Sequence, residues 1–374
     1  MRTQTHPLLP ASLGHQRTLT SLHFGPAGAR PQVYIQASLH AEELPGMLVA
    51  HHLRAALQTL EAEGRLCGEV VLVPVANPIG LSQRVDHRAM GRFELGSSEN
   101  FNRHYPVLAD QVPETVLAAL GADAAHNVQV VREAVRAHLQ AWQPPTELQS
   151  LRRHLLLLAH GADVVLDLHC DGEAALHLYT EEACWPALEP LAAHLSCRAV
   201  LLAKNSGGSP FDECLSGLWW QLKERLAAQG RHPALPQACA STTVELRGET
   251  DVDHTLARAD ADALLAYLAG LGVLDRPVAT PPATCPATPL SGSETLTSPV
   301  PGVLVFATPT GQALTAGDLV AEVVNPLDGT VHPVRAGVSG VFYARVRERY
   351  VVAGGEVGKI AGATPFRTGA LLGF

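Results

Sequence analysis

Two hydrophobic rhythms alternate along the chain from Pro31 to about Leu271. Val33, Ile35 and Ala37 alternate with Tyr34, Gln36 and Ser38, the period of a strand. Met47, Ala50, Leu53, Leu57 and Leu60 then form a stripe at helical spacing. Residues 68–76 (GEVVLVPVA) read as a buried strand stopped by Asn77-Pro78. Helices are predicted over 127–142 and 147–160, parted by Pro144-Pro145, and a strand over 163–169 that ends on a histidine. Strands follow at 174–179 and 198–203 with a helix between them, then a helix over 212–229, a β-branched strand over 241–246 and a helix over 256–271. Such alternation predicts an α/β domain with a mostly parallel or mixed sheet covered on both faces. Residues 79–106 follow neither rhythm, and so long a loop inside a compact domain is functional or disordered.

Residues 276–299 are rich in proline, threonine and serine and read as a linker. Beyond them the chain repeats itself: Gly302-Val303-Leu304 is answered by Gly340-Val341-Phe342, and Ala316-Gly317-Asp318-Leu319 by Gly354-Gly355-Glu356-Val357, at a spacing of 38 residues. Short strands, glycine turns and a repeat predict a small pseudo-symmetric all-β unit. The expected division is therefore 1–275, a linker over 276–299, and 300–374, in line with about two domains for 374 residues.

A net charge of −9, without any basic run, excludes nucleic acid as the partner. Residues 1–29 carry no apolar run of signal-peptide length, and no stretch approaches 18 uninterrupted apolar residues, so a cytoplasmic protein with no membrane partner is expected. Seven scattered cysteines without a C-x-x-C pair point to idle thiols rather than a disulfide framework or a cysteine-built zinc site. Association into a homo-oligomer is left open.

The candidate chemistry lies where strands end, the place at which open α/β sheets bind ligands. His40 and Glu43 stand three residues apart between the first strand and its helix, and can share a metal ion. Alone the spacing is common and equally describes a solvated pair at a helix start. His169 ends another strand and completes a His₂Glu set of the kind that holds catalytic zinc, with Asp167 placed to orient its ring; a hydrogen-bonded core histidine is the plain alternative. Glu245, near a third strand end, is the candidate base, or else a structural partner of Arg247. Asn102 and Arg103 offer an amide and a two-pronged cation to a substrate carboxylate, although surface arginines are usually solvated.

Taken in order, His40-x-x-Glu43, Asn102-Arg103, Asp167-Leu-His169 and Glu245 resemble the zinc carboxypeptidase-like deacylases, in particular the succinylglutamate desuccinylase and aspartoacylase branch. The resemblance spans about residues 30–275 and implies a zinc carboxypeptidase-like mixed sheet flanked by helices. It implies one zinc ion per chain on His40, Glu43 and His169, Glu245 as general base and then acid, and Asn102 with Arg103 on a carboxylate of a small-molecule substrate. It also implies an arginine that polarises the scissile carbonyl: Arg92, with Arg84 or Arg88 as the other choices. Where the branch usually reads His-Gly-Asn-Glu, this chain reads His40-Ala41-Glu42-Glu43, keeping the ligand spacing and adding a carboxylate. The C-terminal segment resembles the barrel of biotinyl and lipoyl carrier domains, but the hairpin Asn325-Pro326-Leu327-Asp328-Gly329 lacks their lysine. The expected function is a zinc-dependent hydrolase that removes the acyl group of a small N-acylated amino acid or a related amide or ester. The alternatives are a carboxypeptidase acting on peptides and a non-catalytic carrier or binding protein.

Overall fold

The computed structural model describes residues 1–372. The chain opens with a hairpin, β1 (Arg2–Pro7) and β2 (Thr18–Phe24), then runs through β3 (Gln32–Ala37), α1 (Pro45–Ala62) and β4 (Glu69–Val73). The loop region holds a short α2 (Pro78–Leu81) and the ribbon β5 (Arg84–Val85) and β6 (Arg88–Ala89). Next come α3 (Glu114–Ala119), α4 (Ala124–Ala141), α5 (Glu147–Ala159), β7 (Val164–Asp171), β8 (Glu173–Ala174), β9 (His177–Glu181), α6 (Trp185–His194) and β10 (Ala199–Ala203). The α/β half closes with α7 (Phe211–Ala228), β11 (Ala240–Gly248) and α8 (His254–Gly270). The remainder is all strand: β12 (Ala287–Pro289), β13 (Ser293–Thr297), β14 (Gly302–Phe306), β15 (Gln312–Leu314), β16 (Leu319–Val324), β17 (Val331–Arg335), β18 (Gly340–Arg345), β19 (Tyr350–Val351) and β20 (Glu356–Gly362).

Nine strands form one mixed sheet in the order β1-β2-β4-β3-β7-β11-β9-β10-β12. Its centre, β4-β3-β7-β11, is parallel, whereas β9 runs antiparallel to β11. Side-chain alternation assigns the two faces. Val33, Ile35, Leu166, Leu168, Val244 and Leu246 pack with α1, α6 and α8 in one core. Tyr34, Val71 and Val165 pack with α4, α5 and α7 in another. By the same alternation Gln36, Asp167, His169 and Glu245 belong to the α7 side. Cys170 falls on the other face, so it does not compete with His169 for a ligand position.

The N-terminal hairpin has no counterpart in the predicted elements. It is an edge strand with mostly exposed residues, so no apolar rhythm marks β1. Inside the stretch 276–299, read as a linker, β12 pairs β10 in parallel and β13 pairs β20. Both are too short to carry a hydrophobic period, and register with a partner, not local sequence, makes them strands. The single strand expected over 174–179 is split into β8 and β9 because β8 leaves to pair β18.

The repeat extends over the whole C-terminal unit. β13, β14 and β15 begin at residues 293, 302 and 312, and β17, β18 and β19 at 331, 340 and 350, each 38 residues on. One antiparallel sheet runs β13-β20-β18-β15 and the other β17-β16-β14-β19, so exchanging the two halves of the repeat turns one order into the other. Leu296, Leu304, Val320, Phe342, Val357 and Ile360 fill the space between them. The unit is joined to the α/β half by the β8–β18 ladder, by Arg345 Nε on Glu173 Oε2 (2.7 Å) and by Lys359 Nζ on Asp171 Oδ2 (2.9 Å). Among the described residues no helix is long and apolar enough to cross a membrane.

Helix α1 starts hard against the sheet at Gly46, where an added Cβ would lie 3.0 Å from both Leu168 Cβ and Leu168 O and 3.2 Å from Ala37 Cβ. Gly46→Val is therefore expected to lower stability by about 1–3 kcal/mol through overpacking. Chemical denaturation checks this, and a wild-type midpoint would show that the helix shifts without cost.

Candidate active site

The loop that leaves β3 turns through Ser38, whose φ of 68° is unusual for a residue with a side chain. Asn77 Nδ2 donates to Leu39 O (2.8 Å) and Ala41 N to Gly91 O (3.1 Å), which fixes the loop before Pro45 starts α1. His40 Nδ1 then lies 2.9 Å from Glu43 Oε1, and His169 Nδ1, at the end of β7, 2.8 Å from Glu43 Oε2. All three residues are buried, and their donor atoms lie within 4.8 Å of one another.

The outer ring nitrogens are held too. Asn100 Oδ1 accepts from Asn102 N (2.8 Å), which orients its amide and leaves His40 Nε2, 2.8 Å away, as the donor. His40 thus turns an Nδ1 lone pair toward Glu43. His169 Nε2 lies 3.1 Å from Asp167 Oδ2, and Gln36 Nε2 donates to Asp167 Oδ1 (2.9 Å). Burial, with the charge of Arg92, lowers the His40 pKa to about 4 and keeps it neutral. Burial works against protonation of His169, but Asp167 and Glu43 outweigh it and hold that pKa well above its ordinary value. Burial likewise opposes ionisation of Glu43, and its contacts with the two histidines, of which His169 carries the charge, hold its carboxyl below the usual range. The proton on His169 supplies the positive charge that the Glu43 carboxylate calls for, and a cation among the three donors would supply it instead. With both outer nitrogens held by acceptors, the donor set fits a divalent metal.

Glu245 on β11 is the register partner of His169 on β7. Its Oε2 is buried without a hydrogen-bond partner among the described residues, and burial, reinforced by Glu43, pushes its carboxyl up to about 8. Arg92 Nη1 lies 3.2 Å from His40 Nδ1 and 3.3 Å from Glu43 Oε1. Arg84 and Arg88 sit on the exposed β5–β6 ribbon instead. Asn102 is buried, taking Phe211 N on Oδ1 (2.8 Å) with Nδ2 3.5 Å from His169 Nε2. Arg103 borders the cavity, gives Nη1 to Asn102 O (2.8 Å), and leaves no room for a side chain at Gly208. Glu42, the added carboxylate, faces Gly91 and does not line the cavity.

The cavity measures about 480 Å³ and holds His40, Glu43, His169, Arg92, Arg103 and Glu245 on its walls. Tyr343, Arg347 and Lys359 reach it from the C-terminal unit. Sequence reasoning missed these three, and nothing local marks them. It also missed Asn100 and the pair Arg152–Glu99 (2.7 Å), which anchors the Asn100 loop on α5. Asn100 stands two residues before Asn102 in a loop already singled out, a signal that was there to use.

Residues 29–271 match the model of the succinylglutamate desuccinylase/aspartoacylase catalytic domain. A succinylglutamate desuccinylase/aspartoacylase family protein from Shewanella amazonensis SB2B is 28% identical, with a TM-score of 0.84 over 96% of this chain and 98% of its own. A second, from Shewanella frigidimarina NCIMB 400, is 26% identical, with a TM-score of 0.85 over 96% and 97%. The ectoine utilization protein EutE (DoeB) from Ruegeria pomeroyi shares the fold at 18% identity, with a TM-score of 0.65 over 97% and 95%. No curated protein matches the chain. The fold and this likeness define a hydrolase of the deacylase class. The chain belongs to the succinylglutamate desuccinylase/aspartoacylase family.

Because Asn100 fixes the ring of His40, Asn100→Ala is expected to weaken divalent-metal binding about 10–100-fold. Competition against a chromogenic chelator measures it, and an unchanged affinity would remove Asn100 from the site.

Proposed function

We propose that the protein is a zinc-dependent deacylase that hydrolyses the amide or ester bond of a small N-acylated amino acid or a related compound. The observation that carries this reading is the meeting of His40, Glu43 and His169 within 4.8 Å, in a cavity that Glu245 also faces. Bound zinc supplies Lewis-acid activation of water and of the scissile carbonyl. Glu245 takes the proton of the attacking water and passes it to the leaving group, and its burial makes it a stronger base than an exposed glutamate. Arg92 reaches the inner face of the trio, where its guanidinium draws charge from the carbonyl oxygen as the bond breaks. Arg103 holds the substrate carboxylate, while Asn102 ties the loop to α7. A cavity of about 480 Å³, walled on one side by the C-terminal unit, supports a small substrate over an extended peptide.

The test is hydrolysis of a panel of N-acyl amino acids and dipeptides by the zinc-loaded chain, with chelation abolishing it. Glu245→Gln is expected to keep metal and fold while losing about 10²–10⁴-fold in rate. More than about a tenth of the wild-type rate would mean that Glu245 is not the base. Arg103→Lys keeps the charge and loses the two-pronged geometry, so kcat/KM on a free acid should fall roughly 10- to 150-fold. The matching amide should lose little, and equal losses on both would show that Arg103 does not read the carboxylate.

A further inference from the structure

An antiparallel sheet with one wet face alternates apolar and polar positions, and the outer sheet of the C-terminal unit, β17-β16-β14-β19, does not. β14 reads GVLVF and β16 LVAEVV, apolar at nearly every position. Leu304, Val320 and Val323 fill the core between the two sheets. Val303 and Val305 point the other way. Register makes the outward side chains neighbours: Val331 lies opposite Val324, Val324 opposite Val303 and Val303 opposite Tyr350, one apolar row across all four strands. In the next row Val305 lies opposite Glu322 and Glu322 opposite Pro333. Val303 is 41% and Tyr350 66% exposed, with Val305 and Val331 between them. Val352, just past β19, and Leu327, in the hairpin from β16 to β17, are exposed as well, Leu327 at 94%.

The positions 38 residues on from Val303 and Val305 are Val341 and Tyr343, and these pack against Ala199, Leu201 and Ala203 of the α/β half. Equivalent faces are thus covered in one copy of the repeat and bare in the other. At their exposures Val303, Val305, Leu327, Val331, Tyr350 and Val352 present on the order of 600 Å² of side chain, the upper end for one apolar patch on a monomer. Two such faces pressed together bury about 1,200 Å², which reaches the range of stable, specific interfaces. The charges at outward positions, Glu322 and Arg335, are opposite in sign, so two copies meet there without like-charge repulsion although each chain carries −9. We propose that the face β17-β16-β14-β19 is the interface of a homodimer, its partner the same face of a second copy of this chain. The contact is isologous, two sheets stacked about 10 Å apart. Tyr343 and Lys359 reach the cavity from the other sheet, so both cavities stay open in the dimer.

Sedimentation velocity of the full chain at micromolar concentrations is the test, and the wild type is expected to run as a dimer. Val303→Lys sets a charge at the centre of the row in both copies and should weaken association at least about 30-fold, the loss expected when a central contact is removed. Because Val303 already meets water in the single chain, the variant should keep the far-UV circular dichroism and the thermal midpoint of a folded monomer. Tyr350→Ser, at the end of the row, should weaken the dimer in the same direction, and it decides the matter if the lysine variant fails to fold. A monomeric wild type overturns the proposal, and so does a dimer that persists in both variants, which would place the contact on another face. A wild-type monomer that floats with phosphatidylcholine vesicles, and loses that in Val303→Lys, would give the face to a lipid surface and overturn the dimer equally.

Discussion

The site depends on where one carboxylate lies. Glu43 is out of water, and each of its oxygens is met: Oε1 by His40, Oε2 by His169 and by Cys170 N at 3.1 Å. These partners come from two neighbouring strands, so the parallel register of β3 and β7 sets the spacing of the donor atoms. Buried polar groups keep their positions only while their partners are in place. The supports therefore run outward in a chain: Asn100 behind His40, Asp167 behind His169, Gln36 behind Asp167 and Tyr34 behind Gln36. Every member on the sheet points to the α7 side, and that face is consequently where the cavity opens.

Much of the catalytic half was legible because apolar alternation follows from burial. The strands ending near His40, His169 and Glu245 are buried on both faces and bounded by turn residues, and their ends marked the residues that the fold brings together. What stayed hidden was set by long-range pairing. Arg152 looks like the polar side of an amphipathic helix, yet it is buried, bonding Glu99 and Asn100 O across more than 50 positions of sequence. The choice among Arg84, Arg88 and Arg92 could not be made by spacing, since it depends on Arg84 and Arg88 standing on an exposed ribbon while Arg92, beyond it, reaches Glu43. β12 and β13 owe their conformation to partners elsewhere, and their own residues spell a proline-rich strap.

The C-terminal unit adds what a lone α/β domain with this sheet would lack, a wall over the strand ends. Lys359 bonds Asp171, two residues past His169, and Tyr179 OH meets Tyr343 OH at 3.3 Å. The contact also closes an edge, since β8 extends the β13-β20-β18-β15 sheet and leaves fewer unpaired backbone groups at the seam.

The strand-by-strand correspondence at 38 residues makes the two halves of the C-terminal unit alike in backbone and unlike in side chains. Two four-strand repeats start from equivalent backbones but meet the cavity unequally, the first with Ser293 and Thr295 and the second copy with Tyr343, Arg347 and Lys359. Tyr343 and Lys359 occupy that copy, and their counterparts 38 positions earlier are Val305, exposed on the far sheet, and Ala321. Like backbones thus share one core while placing unlike side chains on the cavity.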